Sequence, residues 1–142
     1  TRGVLWRIEN GELDGYEAKC VMLMIGTNNG ADAPENIAAG IQTILKAIAF
    51  KQPEAKTLLL SVFPCGERPD DPSRLRNAKV NAIIRGFADG DKVRWCDFSE
   101  RFLCPDGTIS KTMMGDFLHP GPAGYDIWAE AVSPFFRDII GK

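Results

Sequence analysis

A single histidine, His119, and four cysteines at positions 20, 65, 96 and 104 without a Cys-x-x-Cys spacing leave this 142-residue chain short of any zinc pattern. No metal or other cofactor is therefore expected. Cys20, Cys65, Cys96 and Cys104 read as free thiols, since disulfides are rare in reducing compartments, and this leans toward a cytoplasmic location. The opening "TRGVLWRIENG" is not a signal peptide, which leaves localisation open. No apolar run approaches the ~20 residues of a membrane span, so no membrane partner is expected. Excess positive charge is also missing. With 17 Lys and Arg against 19 Asp and Glu, net -2, there is no broad basic field to attract nucleic acid. No Gly-x-Gly-x-x-Gly follows an apolar run, which argues against a dinucleotide-binding site. Internal repeats and low-complexity linkers are absent as well, and at 44% hydrophobic residues the chain fits one domain with a modest core.

What is present is an alternation of strand and helix signals, the mark of an α/β domain with a mostly parallel sheet. "CVMLMIGT", Cys20 to Thr27, is apolar at successive positions, as expected of a central strand covered on both faces. A helix follows "NNGADAPEN", with Asp32 as its expected cap, Pro34 early, and Ile37, Ile41, Ile44, Leu45 and Ile48 on one stripe before Pro53. Further strands are expected at Thr57 to Phe63 and, interrupted by charges, at Lys92 to Phe98. Between these two, a helix is expected to pack through Leu75, Ala78, Ile83, Ile84 and Phe87. The last helix starts near Pro122 and carries Ile127, Trp128, Ala131, Val132, Phe135, Phe136 and Ile139 at helical spacing, with Pro134 expected to bend it.

Ligands in an open parallel sheet bind at the carboxyl ends of the strands, so the loops there carry the functional reading. In "GTNNG", Gly26 gives a tight bend, and Asn28 and Asn29 are short amides able to aim a donor into the crevice, although an isolated "NNG" is by itself a turn. "FPCGERP" brings Cys65, Glu67 and Arg68 to a pocket rim or a solvated loop. "GDFLHPGPAGY" sets Asp116 three residues before His119, two thirds of a nucleophilic hydrolase site, although a lone Asp-x-x-His is by itself a surface loop with a hydrogen-bonded imidazole.

As an ordered set, "LMIGTNN", "LLLSVFP", "DGTIS" and "DFLHPGPAGYDIWAEAV" resemble the SGNH (GDSL-like) hydrolases. The likeness is greatest to the branch of platelet-activating-factor acetylhydrolase catalytic subunits and microbial sugar-ester acetylesterases. It runs through essentially the whole chain, and "VLWRIENGELDG" looks like the helix after the family's second block. The resemblance implies a flavodoxin-like three-layer α/β/α sandwich and four blocks supplying Ser, Gly, Asn and His. Asn28 matches the oxyanion-donating asparagine, with Asn29 where many members have Asp; Asp116 and His119 match the Asp-x-x-His block. His119 would then shuttle the proton of an attacking serine, Asp116 would fix the imidazole, and Asn28 would stabilise the tetrahedral oxyanion.

The family's Gly-Asp-Ser block and its second, glycine-bearing block do not occur in this sequence. The expectation is thus the C-terminal portion, residues 1–142, of one SGNH domain, lacking the first two strands, with the serine encoded upstream. Ser61, Ser73, Ser99, Ser110 and Ser133 stand on no strand-to-helix elbow. The expected substrate is a small ester with a short acyl group, acetyl by resemblance; the substrate-binding residues are not identified. The alternative is a catalytically silent α/β binding module. A strand at Cys20 to Thr27 left on an open edge would favour a homodimer, or complementation by an N-terminal segment.

Overall fold

A computed structural model describes residues 1–141. Its elements are α1 (Arg2–Glu9), β1 (Cys20–Leu23), α2 (Pro34–Lys51), β2 (Lys56–Leu60), α3 (Pro72–Ile84), β3 (Val93–Cys96) and α4 (Pro122–Ile140), with short 3-10 turns at Arg85–Phe87 and Ser99–Phe102. The strands form a parallel sheet in the order β1-β2-β3, with Val21 opposite Thr57 and Leu58 opposite Arg94. Each strand is shorter than its apolar run. The residues beyond Leu23 and Leu60 leave the ladder and become the crevice loops, although Ser61 still donates to the Cys96 carbonyl at 3.0 Å.

The strand pleat divides the core into two faces. On one, Leu23, Leu59 and Val62 meet α1, α2 and α3 through Ile8, Ile37, Ile41, Ile44, Ile48, Val80 and Ile84. On the other, Leu58, Leu60, Phe63 and Cys96 pack with Phe98, Phe102 and Val132, covered by α4. Helices on both faces of a parallel sheet give the three-layer α/β/α arrangement. β1 pairs only with β2 among the described residues and is an edge, and Met22, on the α4 side of the sheet, remains 42% exposed.

The stripe of α2 is buried as its periodicity predicts, from Ile37 to Ile48. Asp32 does not cap this helix. Ala33 is the N-cap, with Pro34 starting the helix in the position where a missing amide costs nothing, and the Asp32 carboxylate instead accepts from Asn29 Nδ2 at 2.8 Å. The face of α3 also differs from expectation. Leu75 is 51% exposed and Ala78 is exposed, whereas Arg74, Asn77, Val80 and Ile84 are buried, because this helix packs largely through polar side chains that satisfy loop carbonyls. Phe87 lies in the following 3-10 turn, and α4 continues through Pro134.

Candidate active site

The Asp116 to His119 loop closes on itself through one carboxylate. Asp116 Oδ1 accepts from the backbone amides of Leu118 at 3.0 Å and His119 at 2.8 Å, while Oδ2 meets His119 Nδ1 at 2.7 Å. The imidazole contact and the His119 amide hold the Asp116 carboxyl down at about 2, below the usual carboxylate range. The turn between the two needs Phe117 at φ 58°, in the left-handed region, which costs a non-glycine residue about 1–2 kcal/mol. Three contacts offset that cost: the Phe117 amide donates to the Met114 carbonyl at 3.0 Å, its carbonyl accepts from Gly66 at 2.8 Å, and its side chain packs on the α4-side core. Gly66 itself has φ 81°, and a Cβ there would sit 2.2 Å from Asp71 Cγ, so the donor to the histidine loop has to be glycine. The imidazole is open to solvent, with its side chain 74% exposed.

His119 and Asn28 line one cleft of about 290 Å³ at the carboxyl end of the sheet. Its walls are otherwise mostly apolar: Met24, Phe63, Leu118, Tyr125 and Trp128. Phe63 stands edge-on to Trp128 at 4.9 Å between ring centroids, and Trp128 stacks on Tyr125 at 5.9 Å, so this wall runs from the buried Phe63 through Trp128 to the exposed Tyr125. Gly26 makes the bend into Asn28 with φ 129°, and a Cβ there would lie 3.1 Å from Ile37 and 3.3 Å from Val62.

The two asparagines divide the work between them. Asn29 is part of the turn: its amide donates to the Gly26 carbonyl at 3.1 Å, its Nδ2 donates to Asp32 and its Oδ1 accepts from the Thr1 nitrogen at 3.0 Å. Asn28 is exposed and its side-chain amide makes no hydrogen bond among the described residues, which leaves a free donor in the cleft. Beyond Asn28 and Leu118 a second hollow of about 540 Å³ includes Cys65, Glu67, Arg76 and Asp116. Cys65 is buried there, whereas Arg68 points to solvent and pairs with Asp70 at 3.1 Å.

None of the five serines lines the His119 cleft. Ser61 is fully buried against Ser99, Ser73 donates to Asp71, Ser110 accepts from the Met113 amide, and Ser133 bonds back to Ala129 within α4. Among the described residues no three His, Cys, Asp or Glu side chains converge on a metal-sized site, and no helix is long and apolar enough to cross a membrane.

The polar face of α3 is the part of the site that the sequence reading missed. Arg74 donates to the carbonyls of Cys65, Gly66, Glu67 and Gly107, Asn77 to that of Phe63 at 2.9 Å, and Asn81 exchanges two bonds with Val62. The available signal was the i, i+3, i+7 spacing of Arg74, Asn77 and Asn81, a polar stripe where an apolar one is usual.

The parallel α/β/α sheet thus carries at its carboxyl end a cleft lined by both a carboxylate-bound imidazole and an unpaired side-chain amide. The chain belongs to the GDSL-like lipase/acylhydrolase family, whose pattern matches residues 1–127. It is 40% identical over 126 residues to platelet-activating factor acetylhydrolase IB subunit alpha2 of Rattus norvegicus, covering 88% of this chain and 55% of that protein. To the human alpha1 subunit it is 37% identical, covering all of this chain and 62% of that one. The chain thus spans little more than half the length of these relatives. Est24, a carbohydrate acetylesterase from Sinorhizobium meliloti, shares the fold at a TM-score of 0.73 and 16% identity, over 95% of this chain and 67% of its own. A GDSL-like lipase from Bacteroides thetaiotaomicron does so at 0.71 and 19% identity, over 84% and 62%.

Proposed function

We propose that this chain forms the acid-base and oxyanion side of a serine-type carboxylic-ester hydrolase acting on short acyl groups. The observation that carries the reading is the convergence on one cleft of the Asp116-bound His119 and the unpaired Asn28 amide. In the reaction, a serine hydroxyl attacks the ester carbonyl carbon as His119 Nε2 takes its proton. Collapse of the tetrahedral intermediate expels the alcohol, which receives that proton from His119. Water, deprotonated by the same imidazole, then attacks the acyl-enzyme, releasing the acid and restoring the serine. Asn28 donates to the oxyanion in both steps, a contact worth about 3 kcal/mol when a single donor is lost. Asp116 holds Nδ1–H and so keeps Nε2 free to act as base. An acetyl or similarly short acyl group fits both the cleft and the substrates named for the acetylhydrolase and acetylesterase relatives.

The nucleophile on this reading comes from a segment outside the chain, delivered beside the cleft by a parallel strand that pairs with β1. β1 is the edge next to Asn28, and the groove along it is lined by Val4, Ile8, Leu13, Val21, Leu23 and Ile25, apolar groups that a further strand and its connection would cover. A second reading, a silent binding module, is favoured by the absence of a serine from the cleft. p-Nitrophenyl acetate turnover and fluorophosphonate labelling separate the two. The chain alone is expected to remain unlabelled, and the chain joined to its Gly-Asp-Ser-bearing segment to turn over ester and label once, in that segment. Labelling of a serine within residues 1–142 overturns the account of the nucleophile, and an inert joined protein overturns the hydrolase reading.

A further inference from the structure

We propose that Arg76 is a positioning residue for Asn28, fixing the peptide that carries the oxyanion donor. Its Nη2 donates to the Thr27 carbonyl at 3.0 Å, across 49 positions of sequence, and that carbonyl accepts from no other group among the described residues. The other bonds of the turn all fall on Asn29: its amide donates to the Gly26 carbonyl, its carbonyl accepts from the Asp32 amide, its Nδ2 donates to the Asp32 carboxylate and its Oδ1 accepts from the Thr1 nitrogen. The Thr27–Asn28 peptide sets the position and direction of the Asn28 Cα–Cβ bond, the base from which its unpartnered amide reaches into the cleft. Without Arg76 that peptide loses the one hydrogen bond on its carbonyl and is held through its neighbours alone.

The guanidinium is itself held rigidly. Its Nε and Nη2 both reach Asn77 Oδ1, at 3.3 and 3.1 Å, and Asn77, 1% exposed, is anchored through Nδ2 to the Phe63 carbonyl and Cys65 Sγ. Gly30 closes over the other side, where a Cβ would lie 3.3 Å from Nη1. Among the described residues no carboxylate pairs with Arg76, so carbonyl and amide acceptors, not a counter-ion, define its direction. A planar fork that meets two such acceptors at once is something lysine cannot reproduce. The chain of bonds from Thr27 through Arg76 and Asn77 to Phe63 joins two of the loops that wall the cleft.

The catalytic consequence rests on the hydrolase reading; the positional claim does not, and the test separates them. In the chain itself, Arg76→Met is expected to speed hydrogen exchange at the Asn29 amide by about tenfold while leaving the His119 amide, which bonds to Asp116, unchanged. Arg76→Lys should restore only part of the protection. Equal acceleration at both amides, no change at Asn29, or full rescue by lysine overturns the proposal. In the nucleophile-complemented protein, Arg76→Met should lower kcat by about tenfold with KM within about twofold and an unaltered pH profile, because the loss falls on transition-state stabilisation. A change in KM alone refutes the link to Asn28. Absence of turnover in the parent protein, with the exchange result intact, counts against the hydrolase reading and leaves the positional role established.

Discussion

Replacing Asp116 by Asn tests the imidazole pairing with little change in shape. Asp116 makes three contacts, two from backbone amides to Oδ1 and one from Oδ2 to His119 Nδ1. An asparagine can keep both backbone bonds only with its oxygen in the Oδ1 position, which turns its NH2 toward Nδ1. The flipped orientation would set two backbone donors against that NH2 and lose two bonds to keep one, so the first orientation wins. A donor facing Nδ1 forces the ring proton onto Nε2, the nitrogen that must accept the serine proton. The loop should therefore survive, with the denaturant midpoint close to that of the parent. Ester turnover in the nucleophile-complemented protein should fall by about 10⁴-fold, the scale of a wrong tautomer. The imidazole tautomer is read in the chain itself by nitrogen NMR, and turnover with p-nitrophenyl acetate. A variant that still carries its proton on Nδ1, or that keeps a tenth of the parent rate, would refute the pairing argument.

Removing the imidazole with His119→Ala should raise the Asp116 midpoint from about 2 toward its ordinary 3.8, followed by carboxyl NMR; an unmoved midpoint would mean that the backbone amides alone hold it down. Because the native carboxyl titrates below its unfolded value, its stabilising effect is complete above about pH 4 and is lost as pH falls through about 2, so acid sensitivity should lessen in that variant. Asn77→Ala strands the buried Phe63 carbonyl and should cost about 2–4 kcal/mol in denaturant unfolding, against less than about 0.5 for exposed Leu75→Ala. The reverse ranking would show that α3 packs by the other face. The uncovered β1 edge should make the chain sediment above its 15.6 kDa monomer at micromolar concentration, with Met22→Lys shifting it toward the monomer. A monodisperse parent monomer would refute that.

The elements whose burial is apolar and local in sequence were legible in it. The α2 stripe from Ile37 to Ile48, the three apolar runs of the sheet, and the Asp-x-x-His spacing of Asp116 and His119 each follow from side-chain period or from reach within a few residues. The same patterns carried the α/β class, and the order of the blocks carried the family. What sequence alone misjudged was α3. Its polar stripe reads as a solvated face until the loops it serves are in place, because a buried arginine is tolerable only where several carbonyls converge on it. The carbonyls of Cys65, Gly66, Glu67 and Gly107 come from two separate loops, and no spacing rule brings them together. Asn28 was singled out from Asn29 by the order of the blocks, because the two residues are alike and adjacent and turn chemistry does not separate them; what only the tertiary structure decided is that Asp32, Thr1 and the turn at Gly26 occupy Asn29, while Asn28 is left without a side-chain partner in the cleft that His119 also lines.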